Sequence, residues 1–241
     1  MSTVQLGPAT IRYETYGDGP AVLLLAPGGL RASRIETWGN APWNPIDALR
    51  DRFRVVAMDQ RNTGTSFAPV TAGDGWDDYA ADQLGLMDHL GIDRFAVVGM
   101  CIGGAFILEL LQTAPERIAA AVAMQPIGQH DNTDAFRGIF DAWRAELAPE
   151  HPETDDAAWE SVFTDLFGGE ALLWSVADDE LTSIETPLLV LRGNDQFHPS
   201  IASERLAAEA PNATLIPDWK PEEHQDAARA AVGEFLAAHP V

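Results

Sequence analysis

The stretch Ala96-Val97-Val98-Gly99-Met100-Cys101-Ile102-Gly103-Gly104 predicts a buried strand, a tight turn and a helix in immediate succession. Cys101 stands at the turn, with a glycine two residues before it and another two residues after it. A Cβ atom at either glycine would collide with the neighbouring strand or helix, because so sharp a turn brings their backbones together. The turn also places Cys101 at a helix N-terminus, where N–H groups favour a thiolate. The pattern therefore predicts a reactive cysteine, with a buried structural cysteine as the alternative.

Composition indicates one sizeable α/β domain or two small ones in the 241 residues. Hydrophobic residues make up 46% of the chain, which is enough for a packed core. The formal net charge is −22, so nucleic acid and anionic membrane surfaces are poor partners. Cys101 is the only cysteine, and neither a signal peptide nor a membrane-spanning run is visible, so we expect a cytoplasmic location.

The rest of the chain alternates strand-like and helix-like segments. Two short alternating segments, residues 3–7 and 9–15, predict an antiparallel hairpin. Continuous apolar runs predict strands that are covered on both faces. These runs lie at residues 21–26, 95–98 and 187–191, and residues 53–58 and 117–124, each with one arginine, are predicted as further strands. Because helical spacing separates most of them, the sequence predicts an α/β fold with a mostly parallel, twisted sheet flanked by helices.

Residues 128–185 differ in character from the segments on either side. Apolar residues fall at helical spacing in three patches, the first two of which begin at Phe136 and Trp159. Such faces must pack on something, and the simplest arrangement is a helical cap, or lid, over the functional site. We therefore expect a core of residues 1–127 and 186–241 and a cap of residues 128–185.

Two further residues complete a candidate catalytic set with Cys101. Asp195 lies in a Gly-x-Asp turn after a predicted strand, and His224 lies between the last short strand and the terminal helix. A histidine can take the thiol proton or form an imidazolium–thiolate pair, and a carboxylate can orient the imidazole. We therefore predict Cys101 as the nucleophile, His224 as the base and Asp195 as the orienting acid.

The other histidines offer less direct alternatives. His198 stands only three residues after Asp195 and is interpreted as a loop residue. The remaining histidines are interpreted as structural: His89 in a helix, His130 and His151 in the cap, and His239 near the C-terminus. The sequence shows no metal-site spacing and no P-loop, so we expect neither a metal nor a cofactor.

The order of Cys101, Asp195 and His224 along the chain resembles the nucleophile–acid–base order of the α/β-hydrolase superfamily. The G-x-C-x-G pattern is similar to that family's nucleophile elbow, with sulfur in place of the usual serine oxygen. The resemblance covers nearly the whole chain, from the loop Pro27-Gly28-Gly29 to His224, and the turn that begins at Asp59 is similar to a further family motif. It implies an α/β-hydrolase fold with a small helical lid.

Within the family, sulfur at the elbow resembles the dienelactone hydrolases and the acyl-transferring polyhydroxyalkanoate synthases. The strings Gly-Met-Cys-Ile-Gly-Gly and Asp-Gln-Arg-Asn are more similar to a compact-lid esterase or lactonase branch. The resemblance also implies an oxyanion hole formed by the N–H groups of Ile102 and Gly29. Because the family motif can be aligned with this glycine loop in positions one residue apart, Leu30 and Gly28 are alternatives to Gly29.

The leading functional hypothesis is a cofactor-independent cysteine hydrolase. It would cleave an ester, thioester or lactone of a small, largely apolar substrate through an S-acyl-enzyme. An acyltransferase or cyclase would use the same three residues with an alcohol or amine as the acceptor. A lyase or a binding protein on the same scaffold is a third class. The expected partner is a small molecule rather than nucleic acid or a membrane, and a homodimer is left open.

Overall fold

The computed structural model describes residues 2–241, and a single eight-stranded sheet runs through it. The strands lie in the order β1-β2-β4-β3-β5-β6-β7-β8 across the sheet. Strand β2 pairs antiparallel with β1 and β4, and the remaining neighbours are parallel. The strands are β1 (Ser2–Leu6), β2 (Ala9–Tyr16), β3 (Ala21–Leu25), β4 (Arg54–Met58), β5 (Phe95–Met100), β6 (Ile118–Met124), β7 (Leu188–Leu191) and β8 (Ala213–Ile216). The predicted α/β-hydrolase fold is confirmed, including the antiparallel hairpin that precedes the parallel strands.

Eight α-helices connect the strands or follow them within residues 2–241. They are α1 (Gly29–Ala32), α2 (Pro45–Leu49), α3 (Trp76–His89), α4 (Ile102–Thr113), α5 (Thr133–Leu147), α6 (Asp156–Phe167), α7 (Ser200–Glu209) and α8 (Glu222–Ala238). None of the helices in this part of the chain combines the length and the apolar character needed to cross a membrane.

The two faces of the sheet are covered by different helices, because side chains alternate along each buried strand. Leu23 and Val97 face the core that includes α3 and α4. Leu24 and Val98 face the opposite core, which includes α2 and α8. A strand covered on both faces has no polar side, which accounts for the continuous apolar runs in the sequence.

Helices α5 and α6 are inserted between β6 and β7, where the sequence predicts the cap. Phe136 and Phe140 on α5 are buried against aromatic residues that include Phe163 and Phe167 on α6. Trp76 on α3 fixes the insertion to the core, since its indole N–H donates to the carbonyl of Leu166 at 3.2 Å. The division into core and cap stays a prediction, and the insertion itself is a feature of the structure.

The turn after β4 has a structural role, as its sequence suggests. Asp59 is fully buried and accepts hydrogen bonds from the Arg12 guanidinium at 3.1 Å and from the Ile35 amide at 2.9 Å. Asn62 adopts a positive φ of 60°, a conformation that asparagine tolerates better than most residues. The side chain of Gln60 pairs with Gln83 at 3.1 Å. These contacts tie the hairpin to the loops at the carboxyl edge of the sheet.

Candidate active site

Cys101 occupies the apex of a strained turn between β5 and α4. Its backbone lies in the left-handed half of φ/ψ space, with φ 61° and ψ −119°, which only a tightly packed turn maintains in a residue other than glycine. Its amide donates to the carbonyl of Met124 at 3.0 Å, and its carbonyl accepts from the Gly104 amide at 2.9 Å. The thiol is thereby held at the carboxyl edge of the sheet, at the N-terminus of α4.

The glycines on either side of Cys101 allow the close approach that the sequence predicts. A Cβ atom on Gly99 would lie 2.5 Å from the carbonyl oxygen of Gly103 in α4. A Cβ atom on Gly103 would lie 2.4 Å from the carbonyl oxygen of Leu25 at the end of β3. Both contacts are with backbone, which cannot move aside cheaply, so the predicted collision with the neighbouring helix and strand is confirmed.

Replacing Gly103 by alanine is expected to lower the free energy of unfolding by about 3 kcal/mol, because the added methyl group overlaps the β3 backbone. Urea denaturation followed by circular dichroism measures this change. Gly138→Ala on α5 is the matched control, since a Cβ there meets no atom within 4 Å and alanine is the better helix former. Equal stability of the two variants would contradict the packing described for the elbow.

The imidazole beside Cys101 belongs to His198, in the loop between β7 and α7. Asp195 Oδ1 organises this loop by accepting three hydrogen bonds. They come from the backbone amides of Phe197 and His198, both at 3.1 Å, and from His198 Nδ1 at 2.7 Å. Because Nδ1 is engaged by the carboxylate, Nε2 is the nitrogen left to act on the thiol. The His198 side chain is 11% exposed and lines the same cavity as Cys101.

Cys101 and His198 perturb each other's titration. Burial alone would raise the pKa of the Cys101 thiol, but the proximity of His198 and two backbone amides together outweigh burial and lower it below the ordinary value of 9.0. Burial alone would lower the pKa of His198, but its interactions with Cys101 and Asp195 outweigh burial and raise it. No group meets the buried Nε2 atom with the alignment of a full hydrogen bond. Such alignment commonly tightens when a substrate binds.

Asp195 is well suited to remain ionised next to this pair. Partial burial would raise the pKa of its carboxyl, but the charges and hydrogen bonds of His198 and Lys220 outweigh burial and lower it. An ionised carboxylate on Nδ1 fixes the ring orientation and stabilises the imidazolium. The structure therefore places His198 between Cys101 and Asp195.

The placement of His224 corrects the choice of histidine. His224 lies in the first turn of α8, where its Nδ1 atom is 2.9 Å from Asp218 Oδ2. Its side chain is 43% exposed and lines a separate surface hollow with Asp218 and Ile216. The physical reason is that His224 lies on the exposed start of α8, while the preceding Trp219 is buried, with its indole N–H donating to the Arg192 carbonyl at 2.9 Å. His198, interpreted from the sequence as a loop residue, takes the place assigned to His224.

The other histidines make contacts away from Cys101. His89 Nε2 lies 3.3 Å from the Tyr13 hydroxyl, and the buried ring of His151 stacks on Phe67 with a centroid distance of 5.0 Å. His239 Nδ1 lies 2.9 Å from the Phe235 carbonyl oxygen. Of the histidines described, His198 alone lines the cavity at Cys101. The interpretation of these histidines as structural residues stays a prediction.

Two backbone amides point toward the Cys101 sulfur. They belong to Ile102, at the start of α4, and to Gly28, after β3, and both favour the thiolate form. Gly28 has φ 125°, and a Cβ atom there would lie 2.5 Å from the Ala32 carbonyl oxygen, so the position requires glycine. Gly29, the first choice from the sequence, lines the cavity but does not act on the sulfur in this way. The geometry favours Ile102 and Gly28 as candidate oxyanion donors.

An apolar cavity of about 470 Å³ opens at Cys101 and His198. Its walls come from the glycine loop and α1 on one side and from the α5–α6 insertion on the other. The side chains that shape it include Leu30, Ile127, Phe136, Ile139, Phe167 and Phe197. Phe136 contacts Phe197 edge-on at a centroid distance of 5.8 Å, so the insertion and the histidine loop meet above the thiol.

No cluster of three or more histidine, cysteine or carboxylate side chains that could hold a metal ion occurs within residues 2–241.

Residues 21–165 match the model of a protein family described as the alpha/beta hydrolase fold. This match covers more than half of the chain. The chain belongs to the α/β-hydrolase family. It is 38% identical over 241 aligned residues to a RutD protein of Variovorax paradoxus (strain S110), provisionally named a carbamate hydrolase, and the alignment covers 85% of this chain and 86% of that protein.

Another α/β-hydrolase relative is the carboxylesterase YbfK of Bacillus subtilis (strain 168). It is 26% identical over 217 residues, covering 80% of this chain and 71% of that protein. Among solved structures, a serine-to-alanine mutant of the meta-cleavage product hydrolase CumD from Pseudomonas fluorescens IP01 superposes with a TM-score of 0.74. At 21% identity over 99% of this chain and 98% of that chain, it supports the fold alone.

Proposed function

We propose that this protein is a cysteine hydrolase that cleaves a carboxylic ester or lactone through an S-acyl-enzyme intermediate. The observation that carries the proposal is the placement of Cys101 and His198 in the wall of one apolar cavity, with Asp195 hydrogen-bonded to the Nδ1 atom of His198. Relatives named for ester and carbamate hydrolysis support the reaction class. The order nucleophile, acid, base is that of the family, with the base on the loop after β7.

Acylation begins with attack of the Cys101 thiolate on the substrate carbonyl carbon. A C–S bond forms, and the carbonyl oxygen becomes an oxyanion that accepts hydrogen bonds from the amides of Ile102 and Gly28. The tetrahedral intermediate collapses as the C–O bond to the leaving group breaks. The imidazolium of His198 donates its Nε2 proton to the departing alkoxide, which leaves as an alcohol.

Deacylation reverses these roles with water as the nucleophile. Neutral His198 removes a proton from water, and the hydroxide adds to the thioester carbonyl carbon. Collapse of the second tetrahedral intermediate breaks the C–S bond and returns the electron pair to Cys101 as a thiolate. The carboxylic acid leaves, and the imidazolium–thiolate pair is restored. Asp195 stabilises the imidazolium in both halves of the cycle.

The cavity favours a neutral substrate with an apolar acyl group. Arg31 at its rim is the one guanidinium among the described lining residues, and its Nε atom lies 2.9 Å from Glu146 Oε2 on α5. That cation is therefore already paired. The formal charge of −22 repels anionic substrates further, including the highly charged carriers of most acyl thioesters. Neutral esters and lactones fit these surroundings better than carrier-bound thioesters.

Two p-nitrophenyl esters with the same five-carbon acyl chain test this proposal. We expect kcat/KM for p-nitrophenyl pentanoate to exceed that for the mono-p-nitrophenyl ester of glutaric acid by about 100-fold, because the terminal carboxylate of the latter would enter an apolar cavity unpaired. Initial rates of p-nitrophenol release measure both constants. Equal rates for the two esters would contradict the assigned substrate class.

Intact-protein mass spectrometry after acid quenching tests the covalent intermediate. Protein mixed with p-nitrophenyl pentanoate is expected to gain the mass of one pentanoyl group, and prior alkylation of Cys101 is expected to prevent the gain. Hydrolysis without any thiol-dependent adduct would contradict nucleophilic catalysis by Cys101. Neither adduct nor turnover with any ester or lactone would favour the binding-protein alternative.

A further inference from the structure

The loop between β8 and α8 carries Lys220, the only lysine in the chain. Its Nζ atom lies 3.3 Å from Asp195 Oδ2 and 2.6 Å from Asn194 Oδ1. Asp195 presents its other oxygen, Oδ1, to His198. Lys220 thus binds the side of the carboxylate that His198 leaves free. We propose that Lys220 is a positioning residue, which holds the Asp195 carboxylate in the orientation that directs His198 toward Cys101.

Lys220 is itself held from both sides of its loop. The preceding residue, Trp219, is buried and its indole donates to the Arg192 carbonyl at 2.9 Å. The carbonyl of Lys220 accepts from Gln225 Nε2 at 2.8 Å. The Lys220 side chain is only 26% exposed, whereas that of Asp195 is 46% exposed. The less exposed lysine therefore gives the half-exposed carboxylate a second contact, at Oδ2, beside the hydrogen bonds that Oδ1 accepts.

The need for such an anchor follows from the acid and base sharing one short loop. Asp195 and His198 are three residues apart, and one carboxylate oxygen serves both the loop amides and the imidazole. The charged groups that act on Asp195 are His198, on its own loop, and Lys220, on the neighbouring loop. Lys220 is thus the contact that links the acid to a second structural element.

The competing interpretation is an ordinary surface ion pair. Exposed pairs of this kind contribute little to stability, and their removal leaves the chemistry of distant groups unchanged. A positioning role makes a different prediction, because loss of the anchor reaches Cys101 through Asp195 and His198. The readout must therefore be a property of Cys101 rather than stability alone.

The kinetic part of this inference rests on the proposed function. The test therefore combines one readout that needs a substrate with one that does not. We expect Lys220→Met to lower kcat for a neutral ester about tenfold, the scale found for partners that orient catalytic groups, with KM changed less than about twofold. We also expect the pH midpoint of Cys101 alkylation by iodoacetamide to move to higher pH. Lys220→Arg keeps the charge and is expected to restore both properties.

Arg229→Met is the matched control, because it removes a cation paired with Asp226 at 2.9 Å on the exposed face of α8. It is expected to leave kcat and the alkylation midpoint unchanged. A folded Lys220→Met protein with the alkylation midpoint of the original chain would overturn the positioning role. An equal shift in Arg229→Met would overturn it too, since the effect would then be one of overall charge.

Chemical modification of the folded original protein tests the same role of Lys220 and does not depend on whether the Lys220→Met variant folds. Acetylation of the folded protein neutralises Lys220, whereas reductive methylation retains its charge. We expect acetylation to reproduce the midpoint shift and methylation to leave the midpoint in place. The Lys220→Met protein, treated with the same two reagents, shows how far modification of the N-terminal amine alone moves the alkylation midpoint. Identical effects of both reagents would contradict the proposal, whereas absence of ester turnover in the original chain bears on the proposed function alone.

Discussion

Cys101→Ala is expected to lower kcat/KM for p-nitrophenyl pentanoate by at least about 10,000-fold, because no other described lining residue carries a thiol or hydroxyl group that could take over as the nucleophile. The thiolate is favoured by His198 and by two backbone amides, so removing the sulfur leaves these groups without a nucleophile to activate. Steady-state kinetics with active-site titration of the original protein measures the loss.

Cys101→Ser separates the geometry of the nucleophile from its chemistry. A hydroxyl has a far higher pKa than a thiol, so we expect the serine variant to lie between the alanine variant and the original chain. Circular dichroism of both variants serves as the control for folding. Turnover by Cys101→Ala within tenfold of the original would rule out the mechanism, since catalysis would then proceed without the sulfur.

His198→Gln is expected to lower kcat about 1,000-fold, while His224→Gln is expected to lower it less than about twofold, because only His198 can transfer a proton at Cys101. Glutamine keeps much of the size and polarity of histidine and cannot carry the positive charge. His224 is its own matched comparison, being a histidine that pairs with an aspartate, Asp218, at 2.9 Å on a different surface.

When both variants are measured under the same conditions, the comparison shows which of the two histidines acts as the base. Comparison of kcat at several pH values keeps a displaced pH optimum from appearing as a loss of activity. A large loss in His224→Gln with normal turnover in His198→Gln would return the base to His224 and contradict the geometry described for the cavity.

Much of the fold follows from local sequence features. The strand–turn–helix unit around Cys101 is recognisable because the glycine spacing and the buried apolar strand each have one simple structural explanation. Asn62 is a second local feature, because asparagine tolerates the positive φ that this turn requires. The insertion between β6 and β7 is visible as a change from continuous to helical apolar spacing. These features depend on contacts within a few residues or on burial alone.

The histidine that we propose as the base could not be identified by that reasoning. The order nucleophile, acid, base is satisfied equally by His198 and His224, so chain order cannot choose between them. The spacing of three residues was a usable signal, because an aspartate can accept hydrogen bonds from amides two and three residues later and so fold the loop back on itself. The exposed position of His224 at the start of α8, after the buried Trp219, depends on tertiary packing.

The sequence left the choice between Gly28 and Gly29 open for a related reason. Adjacent glycines carry the same conformational freedom, and the sequence does not show which amide faces the thiol. The structure separates them through φ angles of 125° at Gly28 and 62° at Gly29 and through the contact of Gly28 with the sulfur. Register at a tight loop is set by the packing of the following helix, which local patterns do not reveal.

The pH dependence of Cys101 alkylation by iodoacetamide is the most direct measurement of the central claim, because the single thiol reports its own environment without any substrate. The original chain and His224→Gln are expected to share a midpoint below that of an ordinary thiol, and His198→Gln is expected to show a higher one, since only the two backbone amides then oppose the effect of burial on the sulfur. An unchanged midpoint in His198→Gln, or a raised one in His224→Gln, would contradict the assignment of His198 as the partner of Cys101.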